Sequence, residues 1–112
     1  MNAAIEHYSK LWTVTDVHGH ESYDLRCVRR SKEMRVEVKG TSTNGESVLL
    51  TPNEVAHAHA FSAMTLFILA DIQVLRDPGG GVTAKGGRAV VIEPWDITKG
   101  ALTPIGYGYR LP

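Results

Sequence analysis

Residues 34–40, Met-Arg-Val-Glu-Val-Lys-Gly, alternate apolar and charged side chains without a break, and this alternation constrains the chain more than any other feature. In an extended strand successive side chains point to opposite faces, so Met34, Val36 and Val38 share one side while Arg35, Glu37 and Lys39 share the other. The preceding run YDLRCVRR, residues 23–30, has the same character, with Leu25 and Cys27 on one face and Asp24 and Arg26 on the other. Joined by a polar Ser-Lys-Glu turn, the two runs read as an antiparallel pair. If both apolar sets serve one core, Asp24 and Glu37 must meet on the opposite face.

The flanking segments supply the rest of a sheet and its cover. Ala4, Ile5, Tyr8, Leu11 and Trp12 recur at helical spacing, with Glu6 and Lys10 as an i,i+4 pair on another side. The stretch WTVTDVHG suits a first strand. Further on, Thr51, Pro52 and Glu54 spell a helix start: an N-cap, a proline at the first helical position and a Thr-x-x-Glu capping box, with Leu50 and Val55 placed as a hydrophobic staple. That helix should run to about Phe61. SAMTLFILADIQVL, rich in Thr, Phe and Ile, reads as a central strand connected through the glycine-rich loop RDPGGGVTAKGG to a partner strand RAVVIEP. The tail from Trp95 has too much Gly and Pro for a long helix and is expected to pack back on the sheet as an irregular arm. The resulting order is α, β, β, β, α, β, β, an α/β or α+β sheet flanked by helices.

At 112 residues the chain has the size of one domain, and 43% hydrophobic with 21% charged residues places it among globular sequences. The formal net charge is zero, so the total gives no argument for a polyanionic partner. Its distribution says more: residues 23–40 hold six of the twelve basic groups against three acids. That local excess suits a phosphate backbone, or equally an edge protected by Arg and Lys. A single cysteine, Cys27, excludes an intrachain disulfide and reads as a buried core thiol. With no apolar run near bilayer length and no signal-type N-terminus, the expectation is a soluble, intracellular protein without a membrane partner.

Two carboxylates on adjacent strands, with a lysine two residues after the second, have a chemical reading. Magnesium prefers oxygen ligands, takes only one or two carboxylates and completes its shell with water and substrate phosphate. A neighbouring lysine can orient the attacking water. The competing reading is a solvated face with cross-strand ion pairs, each worth roughly 0.2–1 kcal/mol. Other chemistry has less support. His57 and His59 are two apart on a helix and cannot share an ion, while His18 and His20 fall in a loop. GGGVTAKGG lacks the spacing of a phosphate-binding loop. Tyr107 and Tyr109 invite base stacking but read better as packing groups.

YDLR, VEVKG and TPNE in this order, followed by a hydrophobic strand and VIEPWDI, resemble the C-terminal domain family named after the plant protein NO VEIN. That family in turn resembles the PD-(D/E)xK restriction-endonuclease-like superfamily, whose core is αβββαβ. The resemblance spans about Ala4 to Asp96. It implies a metal-dependent nuclease, with Asp24 and Glu37 as metal-binding carboxylates, Lys39 as the water-orienting group, and magnesium or manganese as cofactor. It further implies Glu6 as an additional acid and Arg26 or Arg35 as phosphate contacts. Nucleic acid, DNA first, is the expected partner, gripped by a homodimer or by other domains of a longer chain from which residues 1–112 would be excised. Tyr23 stands where the superfamily name has proline. The alternative is a noncatalytic nucleic-acid- or protein-binding module of the same fold.

Overall fold

A computed structural model describes residues 1–112. Helix α1 (Asn2–Ser9) leads into strands β1 (Thr13–Asp16), β2 (Leu25–Arg29) and β3 (Lys32–Gly40). Helix α2 (Pro52–Ala60), β4 (Met64–Ala70), a hairpin of β5 (Gln73–Arg76) and β6 (Val82–Lys85), β7 (Arg88–Ile92) and a short 3-10 turn (Ile97–Lys99) follow. The main sheet has five strands in the order β1-β2-β3-β4-β7. Only β3 and β4 run parallel, because α2 crosses between them; the other pairs are antiparallel. The protein is therefore a mixed α+β fold, and the expected αβββαβ order is present as α1 to β4.

The alternation in β3 separates two environments. Met34 and Val36 join Leu25, Cys27, Phe67, Ala4 and Tyr8 in a core between the sheet and α1. The opposite face is covered as well, by α2 and by the apolar residues Leu66, Ile68 and Ala70 with Val48 and Trp95 around them. So the charged side of β3 is not a solvated face, and Glu37 is 1% exposed. Cys27 is fully buried as expected, and that burial, with Glu93 nearby, pushes its thiol up to about 11.

Three sequence expectations need correction. The β2–β3 turn falls at Arg30-Ser31, not at Ser-Lys-Glu, because Arg29 pairs with Lys32 and Glu33 is already in the ladder. Arg30 takes a left-handed φ of 57° to close this tight connection. The glycine-rich loop is not a simple link: it contributes β6, which pairs with β5 as a separate two-stranded ribbon before the chain returns to β7. The tail from Trp95 packs back only at its start, where Trp95 lies against Leu66, Ile68 and Ala70 and Ile97 is buried. Residues 101–112 are exposed throughout, including Tyr107 and Tyr109. No helix is long and apolar enough to cross a membrane.

Gly87, at the entry to β7, shows how tightly that return is made. Its φ is 121°, and a Cβ there would lie 2.6 Å from Leu69 Cγ, whereas a Cβ at Gly86 meets nothing within 4 Å. Gly87→Ala combines backbone strain with a clash, while Gly86→Ala carries strain alone. Urea denaturation should therefore show Gly87→Ala destabilised by about 2 kcal/mol or more and Gly86→Ala by about 1 kcal/mol.

Candidate active site

The site is built where the start of α2 meets β3. Thr51 caps the helix by accepting the Glu54 N–H at 3.2 Å, and the Glu54 side chain accepts the Thr51 N–H at 2.8 Å. The capping box read from the sequence is thus present. Glu54 does more than cap. The same Oε1 atom accepts a hydrogen bond from Lys39 Nζ at 2.9 Å, tying the helix start to the end of β3.

Asp24 sits in the bend just before β2, where its N–H still donates to Val36 across the ladder. Its Oδ2 accepts the Val38 N–H at 2.8 Å, which fixes the carboxylate on the Glu37 side of the sheet. Parity thus brings Asp24, Glu37 and Lys39 together as expected. Glu54 makes a third carboxyl.

Three acids and one lysine leave the cluster short of positive charge. Lys39 Nζ lies 3.6 Å from Glu37 Oε1, outside hydrogen-bonding distance, and Oε1 is buried with no partner. Burial, then the Glu54 and Asp24 carboxyls, push Glu37 up to about 9, so at neutral pH it holds a proton. For Glu54, burial works to raise the pKa, but the hydrogen bonds from Lys39 and the Thr51 N–H outweigh it and hold the carboxyl below its usual range. Burial likewise works to lower Lys39, yet the Glu54 hydrogen bond and the surrounding acids keep its ammonium above the ordinary lysine value. A concavity of about 360 Å³ opens beside Lys39, lined also by Gly40, Thr41, Ser47, Val48 and Leu49.

The remaining candidates are placed differently. Glu6 is exposed on α1, and α1 packs on the opposite face of the sheet from Glu37. Arg26 and Arg35 are direct cross-strand partners, and Glu33 lies between them, 3.5 Å from Arg26 and 2.8 Å from Arg35. Arg26 also donates to the Tyr23 hydroxyl. The Arg35 guanidinium lies 3.9 Å over the Phe61 ring and 4.8 Å over Tyr23. His57, which the sequence marks only as an ordinary histidine, stacks on Tyr23 and approaches Arg35 at 3.4 Å. Burial and then Arg35 lower its pKa, so it is neutral and can accept from the guanidinium. No group of three or more His, Cys, Asp or Glu side chains is arranged to hold a metal ion, so an ion here would rest on two carboxylates. Two suffice for magnesium, and the unpartnered Glu37 oxygen beside Asp24 fits such a ligand pair.

The raised Glu37 makes stability depend on pH. Its folded value of about 9 lies above the unfolded value near 4.3, so the folded state holds the extra proton between those limits. Its contribution is complete below about pH 4 and is lost as pH rises towards 9. Denaturation midpoints in divalent-free buffer should fall between pH 6 and 9 in the wild type. In Glu37→Gln, which keeps the shape of the neutral acid, that decline should be largely absent.

The family model described as Protein NO VEIN, C-terminal, matches residues 1–80. The match ends in the β5–β6 turn, so it takes in every candidate residue but stops short of VIEPWDI, which the sequence resemblance had included. No curated protein and no solved structure matches the chain.

Proposed function

The chain belongs to the NO VEIN C-terminal family, and on that footing we propose that it is a magnesium- or manganese-dependent nuclease domain acting on phosphodiester bonds, with DNA as the first substrate to test. One observation carries the reading: a buried Glu37 carboxyl whose Oε1 has no hydrogen-bond partner, next to Asp24 and Lys39. The PD-(D/E)xK-like order of these three residues supports it. Asp24 and Glu37 would hold the ion. Bound there, it would neutralise phosphate charge and lower the pKa of a water.

Each residue of the site would have a defined task in this scheme. To hold the ion, Glu37 would have to release the proton it keeps at neutral pH, and a divalent charge would favour that release. Lys39, held by Glu54, keeps N–H groups available for an incoming water or phosphate oxygen. Glu54 positions Lys39 and fixes the helix start. Arg26, with its side chain 38% exposed, is the better placed of the two arginines to meet the phosphate backbone, since Arg35 is more covered and held by Glu33, Phe61 and Tyr23.

A second reading, a noncatalytic module of the same fold, is favoured by the near-complete enclosure of Glu37. Calorimetric titration with manganese or magnesium separates the two. The nuclease reading expects binding that tightens from pH 6 to 8.5, as the competing Glu37 proton becomes easier to remove, and that disappears in Glu37→Gln. It also expects metal-dependent cleavage of single- or double-stranded DNA, reduced about 100-fold or more in Asp24→Ala and Lys39→Ala. A wild type that binds no divalent ion, or cleavage unchanged in both variants, overturns it.

A further inference from the structure

The other end of the hairpin carries the cations that the candidate active site does not use. Strand register sets three side chains in a row across neighbouring strands: Thr13 pairs with Val28 and Arg29 with Lys32, so Trp12, one residue before β1, stands beside Arg29. The contact is direct, with the Arg29 guanidinium 4.8 Å from the Trp12 ring centre. By the alternation of β2 and β3, Arg29 and Lys32 share a face with Cys27 and Met34, the α1 side. Five residues of strand, about 16 Å, separate Lys32 from Glu37. This is therefore a distinct surface.

Two adjoining concavities meet at Lys32. One, of about 480 Å³, is lined by Arg29, Arg30, Ser31 and Lys32 alone, all exposed. No ion pair engages Arg29, Arg30 or Lys32, in contrast to Arg26 and Arg35 on the other face. The second, of about 380 Å³, is lined by Trp12, Lys32, Met34, Thr65, Glu93 and Pro94 among others. Charge sorts what each can accept. An anion is favoured among the three cations, none of which has an acidic partner, and disfavoured beside Glu33 and Glu93, whereas a flat, uncharged ring suits the lobe walled by Trp12, Met34 and Pro94. A phosphate joined to an unpaired base presents both parts. Single-stranded nucleic acids are held by this pairing of cationic backbone contacts with aromatic stacking. A duplex keeps its bases stacked on one another and can use only the cationic lobe.

We propose that the β2–β3 turn and the adjoining Trp12 surface form a binding site for single-stranded nucleic acid, with phosphate at Arg29, Arg30 and Lys32 and a base against the Trp12 lobe. The proposal is independent of the nuclease reading. Its test is run on the full chain in EDTA, where no metal-dependent step contributes.

Fluorescence anisotropy with a labelled single-stranded oligonucleotide should show binding that weakens about tenfold or more in the triple variant Arg29→Ala/Arg30→Ala/Lys32→Ala, with the log-log salt slope reduced by about 2. Trp12→Leu should lose roughly 5- to 100-fold and Trp12→Phe much less, since phenylalanine still offers a ring face. Because Trp12 also packs against the core, tryptophan fluorescence gives a second reading on unaltered protein. The oligonucleotide should quench it and inorganic polyphosphate should not, and the quench should be missing in Trp12→Phe. Unchanged affinity in the triple variant overturns the proposal. So does equal quenching by polyphosphate, equal affinity for duplex, or equal binding to phosphatidylserine vesicles that is lost in the same variant.

Discussion

One carboxylate oxygen, Glu54 Oε1, holds two parts of the molecule in register. It accepts from the Thr51 N–H at the start of α2 and from the Lys39 ammonium at the end of β3. The first contact is local, three residues apart, and the second joins groups fifteen apart across the helix–sheet interface. Because both are made by one atom, the position where α2 begins and the position of the lysine are a single choice. That choice sets where the helix lies over β3, and the helix in turn encloses Glu37. A capping residue, ordinarily worth about 1 kcal/mol of helix stability, here also defines the chemistry of a buried cluster.

The sheet divides its work between two faces. Towards α1 it is apolar along most of its length, with Leu25, Cys27, Val36 and Phe67 filling the interface. Towards α2 it carries Asp24, Glu37 and Lys39 at one end and the Arg26–Glu33–Arg35 group at the other. The arginine pair illustrates a cross-strand constraint. Like charges directly opposite one another are destabilising, and Glu33 relieves the repulsion by approaching both guanidinium groups. Tyr23, Phe61 and His57 then cover what Glu33 does not.

What was legible in the sequence follows the range of the interaction. The β2–β3 parity, the capping box and the burial of Cys27 depend on neighbours along the strand or helix, and all three were readable from residue spacing. The meeting of Asp24 with Glu37 was readable too, because register between two adjacent strands fixes it. The second role of Glu54 was not, since capping explains the residue completely and nothing local says that Lys39 stands above it. His57 escaped for the same reason: its partners Tyr23 and Arg35 come from other elements. The tail was misread only in its second half: alternating tyrosines suggest a face to pack on, yet packing ends with Trp95 and Ile97, and residues 101–112 stay exposed. The turn was shifted by one pair because Lys32 and Glu33, polar enough for a loop, serve as strand residues once their apolar neighbour Met34 is anchored.

The parallel pairing of β3 with β4 has a kinetic side. Strands β1, β2 and β3 form an antiparallel meander whose contacts are close in sequence, while β4 can join only after the chain between Thr41 and Ala63 has looped over and laid α2 on the sheet. Closing that loop costs chain entropy before any contact compensates it. A meander formed first would leave Glu37 and Lys39 in water, where a carboxylate ionises freely. Closing α2 and β4 over that face therefore carries a proton with it: at neutral pH the enclosed Glu37 holds a proton that the open hairpin would not, so the equilibrium of that closure depends on pH.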